Sequence, residues 1–357
     1  MHGKMTPVAD KLLSIEMARG IAAAIVVFYH AARHFDKDVG FPLGRQAFQF
    51  GHAGVDFFFV ISGFIILFIH IGDFGRPGRL VHYALRRCTR IYPIYWVILA
   101  VTVAIALVSS HHLPPSPFDV VWAALLLPTS GEPIVGVSWT LQHEVIFYVL
   151  FATLILHRRM GAAVLVAWFA VIVVGLAGGW TIPPSAFFSA YNLEFLFGMG
   201  AALWLRRGTV PFARTLFALG LSSFAAAAAE VFGLLDGYAP WARLAYGVPS
   251  ALIVLGLVEM ERQGAIAVPS RLLWLGRASY SIYLFHLTWI GLSYKLWTAG
   301  GLAGWAPPWA GFGLVAAAGI GGGVLVSVMI EYPLMRQVRR GLRRVDGASR
   351  SHQGTRG

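Results

Sequence analysis

Four residues capable of acid–base chemistry lie within long apolar segments: His30, Asp56, Glu144 and His286. Histidine has an ordinary pKa of about 6.5, which suits proton transfer near neutral pH, and a carboxylate can orient an imidazole. Arg19 lies eleven residues before His30. On an α-helix this spacing places both side chains on one face, about 16 Å apart along the axis. The first apolar segment therefore carries a cation and a base on the same helix face.

Two arginines precede the third apolar segment. Arg87 and Arg90 are three residues apart at the expected start of a helix, and arginine binds phosphate through paired hydrogen bonds. In the second segment, His52 and Asp56 are four residues apart, a spacing at which helical side chains meet. Ser62 is a further polar group in that segment. The ninth segment is rich in hydroxyl groups, so we expect part of it to line a polar cavity.

The elements that position these residues must cross a membrane. The chain has 357 residues, of which 57% are hydrophobic and 12% are charged, whereas a soluble domain has about 25% charged residues. This composition excludes a soluble enzyme, a disordered chain and a fibrous repeat. The single cysteine, Cys88, excludes an internal disulfide and a CxxC metal site.

Ten apolar segments predict an all-α polytopic membrane protein with about ten transmembrane helices. They lie near 13–33, 53–71, 91–109, 137–156, 162–178, 187–205, 212–233, 243–260, 272–294 and 310–330. The stretch 118–128 is apolar but too short to span, and we expect it to be re-entrant or interfacial.

The charge distribution predicts that both termini are cytoplasmic. In that orientation 23 of the 28 Lys and Arg residues lie on the cytoplasmic side, as the positive-inside rule requires. The five on the outer side are Arg33, Lys37, Arg45, Arg243 and Lys295. The net charge of +12 therefore reflects topology and contact with anionic lipids, and we expect no nucleic-acid partner.

The residues alone leave several functions open. A charge at the centre of a membrane helix costs at least about 2.5–3.5 kcal/mol, so each buried group needs a function or a partner. Hydrogen bonding between helices, a snorkelling Arg19 and a structural histidine would account for them. A proton relay in a secondary transporter would involve the same four acid–base residues. A non-catalytic subunit of a polysaccharide export complex is the third alternative.

Six ordered motifs resemble the membrane-bound acyltransferase family 3, which includes bacterial O-antigen and exopolysaccharide O-acetyltransferases. They are Arg19 with His30, the Gly-Val-Asp-Phe-Phe-Phe-Val-Ile-Ser-Gly run at 54–63, Arg87-x-x-Arg90, Ser138-Trp-Thr-Leu with Glu144, Ser279-Tyr-Ser-Ile-Tyr-Leu-x-His286, and Glu331-Tyr-Pro333. The resemblance covers residues 12 to 336. Thr288 is a departure, since relatives often have proline after the histidine.

The resemblance implies transfer of acetyl from cytoplasmic acetyl-CoA to a hydroxyl of an extracytoplasmic or lipid-linked glycan. Arg19, Arg87, Arg90 and Ser62 would bind the donor. His30 would act as general base or as an acyl-histidine nucleophile, with Asp56 or Glu144 orienting the imidazole and His286 completing the catalytic group. No metal-ligand cluster, glycine-rich phosphate loop or GxSxG motif supports other chemistry. The absence of a visible inverted repeat disfavours the transporter.

The resemblance also sets expectations for organisation and partners. We expect an integral membrane acyltransferase domain over 1–336 and a basic cytoplasmic tail over 337–357, without the soluble esterase-like domain found in many relatives. The expected location is the bacterial inner membrane. Expected partners are a lipid-linked or exported glycan and membrane lipids, and a homodimer or polysaccharide-assembly partners are compatible with this interpretation.

Overall fold

The computed structural model describes residues 12–108, 115–129, 131–180, 185–338 and 340, and over these residues it is helical with no strand. The α-helices are α1 (Leu13–Val39), α2 (Pro42–Phe48), α3 (Gly54–His70), α4 (Leu80–Val108), α5 (Pro117–Ala124), α6 (Trp139–Leu156), α7 (Arg158–Gly178), α8 (Ser185–Phe188), α9 (Leu193–Arg207), α10 (Ala213–Ala228), α11 (Ala242–Arg262), α12 (Ser270–Ala299) and α13 (Pro308–Val326). A π-helix at Ser327–Glu331 continues α13. The all-α prediction is confirmed. Nearly all of the expected tail lies outside the described residues.

Within the described part of the chain, seven helical stretches are long and apolar enough to cross a membrane. They are Leu13–Lys37, Pro42–Asp73, Pro77–Val108, Gly136–Leu156, Arg158–Gly178, Ala242–Arg262 and Pro308–Val338. Each coincides with one of the ten segments predicted from the sequence. The structure therefore supports a membrane protein with seven candidate spans.

The remaining three predicted segments are also helical but differ from typical spans. α9 has 15 residues and α10 has 16, which at 1.5 Å per residue is shorter than a hydrocarbon core of about 30 Å. A 3₁₀ turn precedes α9 at Ala190–Asn192, and another follows α10 at Ala229–Phe232. α12 has 30 residues, but its polar side chains lower its mean hydropathy. Ten spans and two cytoplasmic termini stay predictions.

Close backbone contacts bring α1 against α12. A Cβ added to Gly20 would lie 2.6 Å from the backbone nitrogen of Gly276, and a Cβ on Gly276 would lie 2.0 Å from the carbonyl oxygen of Glu16. Only glycine allows these helices to approach so closely, as in other membrane helix pairs with small residues at the interface. The contact fixes the register of the two helices that carry His30 and His286.

The N-terminal end of α1 is held by α11. The backbone N–H groups of Leu13 and Ser14 donate to the carboxylate of Glu261 at 2.8 and 3.0 Å. A carboxylate at a helix N-terminus satisfies free N–H groups and complements the helix dipole. In addition, α1 packs against α3, α11, α12 and α13. It is thus a central helix, which explains how its polar side chains are shielded from lipid.

Candidate active site

A cavity with several polar side chains in its wall lies between α1, α3, α4, α6 and α12, and we call it the inner cavity after the predicted orientation. About 600 Å³ of empty space lies between its lining side chains, including the part that is open to solvent. It is lined by Arg19, Val55, Phe58, Phe59, Ile61, Ser62, Arg90, Ile91, Thr140, Leu141, Glu144, Ser279, Tyr280 and Tyr283. The hydroxyl-rich part of α12 lines this cavity, as expected, but most of the cavity wall is apolar.

Two arginines and one glutamate give the inner cavity its charge. Arg19, Arg90 and Glu144 are all half-buried, and Glu144 interacts electrostatically with both arginines. The Glu144 carboxylate accepts a hydrogen bond from the Ser62 hydroxyl at 3.0 Å and another from the Tyr148 hydroxyl. The cavity can therefore receive an anionic group at the arginines, and its carboxylate is already held in place.

Sequence reasoning gave Glu331 no role, although it belongs to one of the motifs. Its carboxylate accepts hydrogen bonds from Ser281 at 2.7 Å and Ser327 at 2.9 Å, and it interacts electrostatically with Arg19 and Arg90. Glu331 is the last residue of the π-helix, a feature that often marks functional sites. No spacing in the sequence would have placed Glu331 beside the arginines, because they come from distant segments.

His30 and His286 lie side by side, with ring centroids 5.0 Å apart. The Nδ1–H of His286 donates to the carbonyl oxygen of Tyr283 at 2.7 Å, which leaves Nε2 as the unprotonated nitrogen of the neutral ring. His286 is fully buried, and Nε2 has no hydrogen-bond partner among the described residues. The imidazole thus has a fixed orientation and a free acceptor nitrogen next to His30.

A second, more open space lies beyond the histidines, and we call it the outer pocket. Its empty space, including the part that is open to solvent, is about 910 Å³. It is lined by His30, Arg33, His34, Asp36, Lys37, Arg45, Leu287 and Ile290. On α12, Tyr283 lines the inner cavity and Leu287 lines the outer pocket. His286 lies between them in sequence. His30 thus lines the outer pocket, and His286 beside it is three residues from Tyr283 of the inner cavity.

Asp56 does not contact His30 in the described structure. Its Oδ1 accepts a hydrogen bond from Nη1 of Arg243 at 2.5 Å, and both side chains are buried, with 0% and 1% exposed. The guanidinium of Arg243 stacks on the Tyr191 ring at 4.4 Å. The buried carboxyl group of Glu194 also interacts electrostatically with Asp56 and Arg243. The expected orientation of the His30 imidazole by Asp56 is therefore not seen.

The expected contact between His52 and Asp56 was wrong. His52 Nε2 pairs with the Glu230 carboxylate at 2.9 Å, and that carboxylate also accepts a hydrogen bond from Tyr246. The physical reason is that His52 lies in a 3₁₀ turn at Gln49–Ala53, before α3 begins. The four-residue spacing of an α-helix does not apply across that junction.

Arg87 lies beside the inner cavity and is not part of its wall. Its guanidinium is 5.7 Å from the centre of the Tyr148 ring, and Tyr148 is the residue that donates to Glu144. Arg87 is buried, and its Nε and Nη1 have no hydrogen-bond partner among the described residues. Its expected role in donor binding stays a prediction, and its two unpaired nitrogens are free to bind a ligand.

Comparison with known proteins identifies the family of the chain. The family model for the family 3 acyltransferase domain matches residues 12–328. The exopolysaccharide production protein ExoZ of Rhizobium meliloti (strain 1021) is 34% identical over 307 residues, covering 82% of this chain and 92% of that protein. No solved structure matches the chain.

Proposed function

The chain belongs to the acyltransferase family 3, and from this premise we propose that it moves an acetyl group from cytoplasmic acetyl-CoA to a hydroxyl of an exopolysaccharide. The acceptor is extracytoplasmic or lipid-linked. One observation carries the proposal: His30 lines the open outer pocket beside His286, and His286 follows Tyr283 of the arginine-containing inner cavity by three residues on α12. The similarity to ExoZ, an exopolysaccharide production protein, supports the class of acceptor.

The inner cavity suits the donor. Arg19 and Arg90 would bind the phosphates of CoA, and Arg87 would add a third cation beside them. From Arg19 to His30 is about 16 Å along α1, so an extended pantetheine arm would carry the thioester toward the histidines. Ser62 and Glu144 would line its path. A narrow cavity would also limit hydrolysis of the thioester by water.

His30 is the proposed general base. It would take the proton of the acceptor hydroxyl while that oxygen attacks the thioester carbonyl, and the carbon–sulfur bond would then break as the proton passes to the CoA sulfur. His286, with its Nδ1–H bound to Tyr283, would hold the neighbouring imidazole in place. In the alternative route a nitrogen of His30 attacks the thioester, so that a carbon–nitrogen bond forms while the carbon–sulfur bond breaks and the CoA thiol leaves. The acceptor hydroxyl then forms the carbon–oxygen bond as the carbon–nitrogen bond breaks and the released imidazole takes its proton.

The test is transfer of label from acetyl-CoA to glycan in membranes that contain the protein and lipid-linked glycan extracts. We expect transfer with the wild type and a loss of at least about 100-fold with His30→Ala, the usual contribution of a general base. His82→Ala is the matched control, because His82 is exposed on α4 and lines neither space. Undiminished transfer by His30→Ala would refute the mechanism. Movement of substrate without a thioester donor would indicate a transporter.

A further inference from the structure

The outer pocket has an unusual concentration of positive charge for its side of the membrane. Of the five Lys and Arg residues that the predicted orientation places outside, three line this pocket: Arg33, Lys37 and Arg45. Membrane proteins are depleted of these residues outside the cytoplasm. Their collection around His30 therefore calls for a reason other than topology.

Only part of this charge is neutralised by the protein. Arg45 pairs with Asp36 at 3.0 Å. Arg33 donates hydrogen bonds to the hydroxyls of Tyr29 at 2.5 Å and Tyr238 at 3.3 Å. Partial burial and the hydrogen bond with Tyr29 raise the pKa of Tyr238, so its hydroxyl is neutral and brings no negative charge to Arg33.

Lys37 is exposed at the mouth of the pocket. Among the described residues, neither Arg33 nor Lys37 forms an ion pair. The outer pocket therefore keeps two positive charges that the described carboxylates do not balance.

The spacing relates these charges to the reacting group. Arg33 and Lys37 follow His30 by three and seven residues, so they lie about 4.5 and 10.5 Å further along α1, near the same face. An anion bound at Arg33 would thus be separated from His30 by a distance on the order of one sugar ring. A hydroxyl close to that anion would reach the imidazole.

We propose that the outer pocket is the acceptor site and that Arg33 and Lys37 bind an anionic group of the acceptor, which places a nearby hydroxyl at His30. The inference rests on the proposed acyl transfer and specifies its substrate class. The anion is either a carboxylate on the sugar chain or the diphosphate of a lipid-linked carrier. Both anions have charged oxygens that accept hydrogen bonds from arginine and lysine.

The experiment measures acceptor KM and acetyl-CoA KM separately in membranes. We expect Arg33→Gln and Lys37→Gln each to raise the acceptor KM by about tenfold, the usual loss for one charged hydrogen bond, with acetyl-CoA KM unchanged. Arg33→Lys keeps the charge and is expected to recover most of the acceptor affinity, which separates charge from folding. Lys295→Gln is the matched control, since Lys295 is an exposed outer cation that does not line the pocket.

Three acceptor preparations distinguish the two sources of the anion. The probe is the lipid-linked glycan extract, used intact, after chemical reduction of its carboxyl groups, or after mild acid removal of the lipid diphosphate. If substitution of Arg33 or Lys37 no longer raises the acceptor KM after carboxyl reduction, the anion is a sugar carboxylate. If the substitutions no longer raise it after acid treatment, the anion is the diphosphate.

Two results would overturn the inference while leaving acyl transfer standing. The first is an acceptor KM of Arg33→Gln and Lys37→Gln equal to that of Lys295→Gln, in a preparation whose wild type is active. The second is an unchanged acceptor KM of the wild type for an acceptor that has lost both anions. No transfer by the wild type would instead remove the proposed function, and this inference with it.

Discussion

The buried pair of Asp56 and Arg243 allows a quantitative test of whether Asp56 acts through packing or through chemistry. Because the two side chains are 0% and 1% exposed, removing one leaves the other buried without its ion-pair partner, although Arg243 keeps its hydrogen bond to the Gly237 carbonyl and both groups interact with Glu194. Such a change costs about 3–5 kcal/mol in the free energy of unfolding, whereas replacing both partners by apolar residues of similar volume is close to neutral. We therefore expect Arg243→Met and Asp56→Leu to be strongly destabilising alone and nearly harmless together.

The assay is a double-mutant cycle on the free energy of unfolding in detergent micelles, combined with the acetyl-transfer assay. The coupling energy should be at least about 3 kcal/mol. Arg277→Gln provides the control, because Arg277 pairs with Glu16 at 2.9 Å but is 42% exposed. Exposed pairs contribute about 0–1 kcal/mol.

Activity of the double variant decides the role of Asp56. If Asp56 only holds α3 against α11, the double variant should transfer acetyl nearly as well as the wild type. Additive effects of the two single changes would refute the buried-pair argument. A stable double variant without activity would refute the packing role and return Asp56 to the catalytic group.

Two further predictions concern the inner side of the site. Gly276→Ala should lower acetyl transfer by at least about tenfold, because its Cβ would lie 2.0 Å from the Glu16 carbonyl oxygen, whereas Gly291→Ala on the same helix meets nothing within 4 Å and should be silent. Arg90→Gln should raise acetyl-CoA KM by about tenfold without changing acceptor KM. Arg86→Gln, at an exposed position, should leave both KM values unchanged. Both are read from initial rates with labelled acetyl-CoA; equal effects in test and control variants would contradict them.

Much of the fold follows from local sequence patterns. All ten apolar segments form helices, because long apolar runs bury their backbone groups only as helices in lipid. The hydroxyl-rich face of α12 also follows from local spacing, because Ser279, Tyr280 and Tyr283 recur at helical intervals and line the inner cavity together. What the sequence could not give is where such a face finds its partners.

The polar pairs that sequence reasoning missed all join distant segments. His52 meets Glu230 across 178 residues, and Asp56 meets Arg243 across 187. Local spacing instead suggested that His52 and Asp56 contact each other, which would hold only in a continuous α-helix. A pairing set by tertiary packing leaves no periodic signal in one sequence, so the partners of Glu331 and Arg243 could be found only in the structure.

The arrangement of α1 and α12 would suit the proposed transfer between substrates on opposite sides of a membrane. Each helix lines both spaces: α1 contributes Arg19 to the inner cavity and Arg33 to the outer pocket, and α12 contributes Tyr283 and Leu287. A shift of one residue between these helices would move side chains by about 1.5 Å and rotate them by about 100°. The glycine contact near the N-terminal ends of both helices prevents that shift. The register set there therefore controls the meeting of the two histidines, and with it the alignment of donor and acceptor.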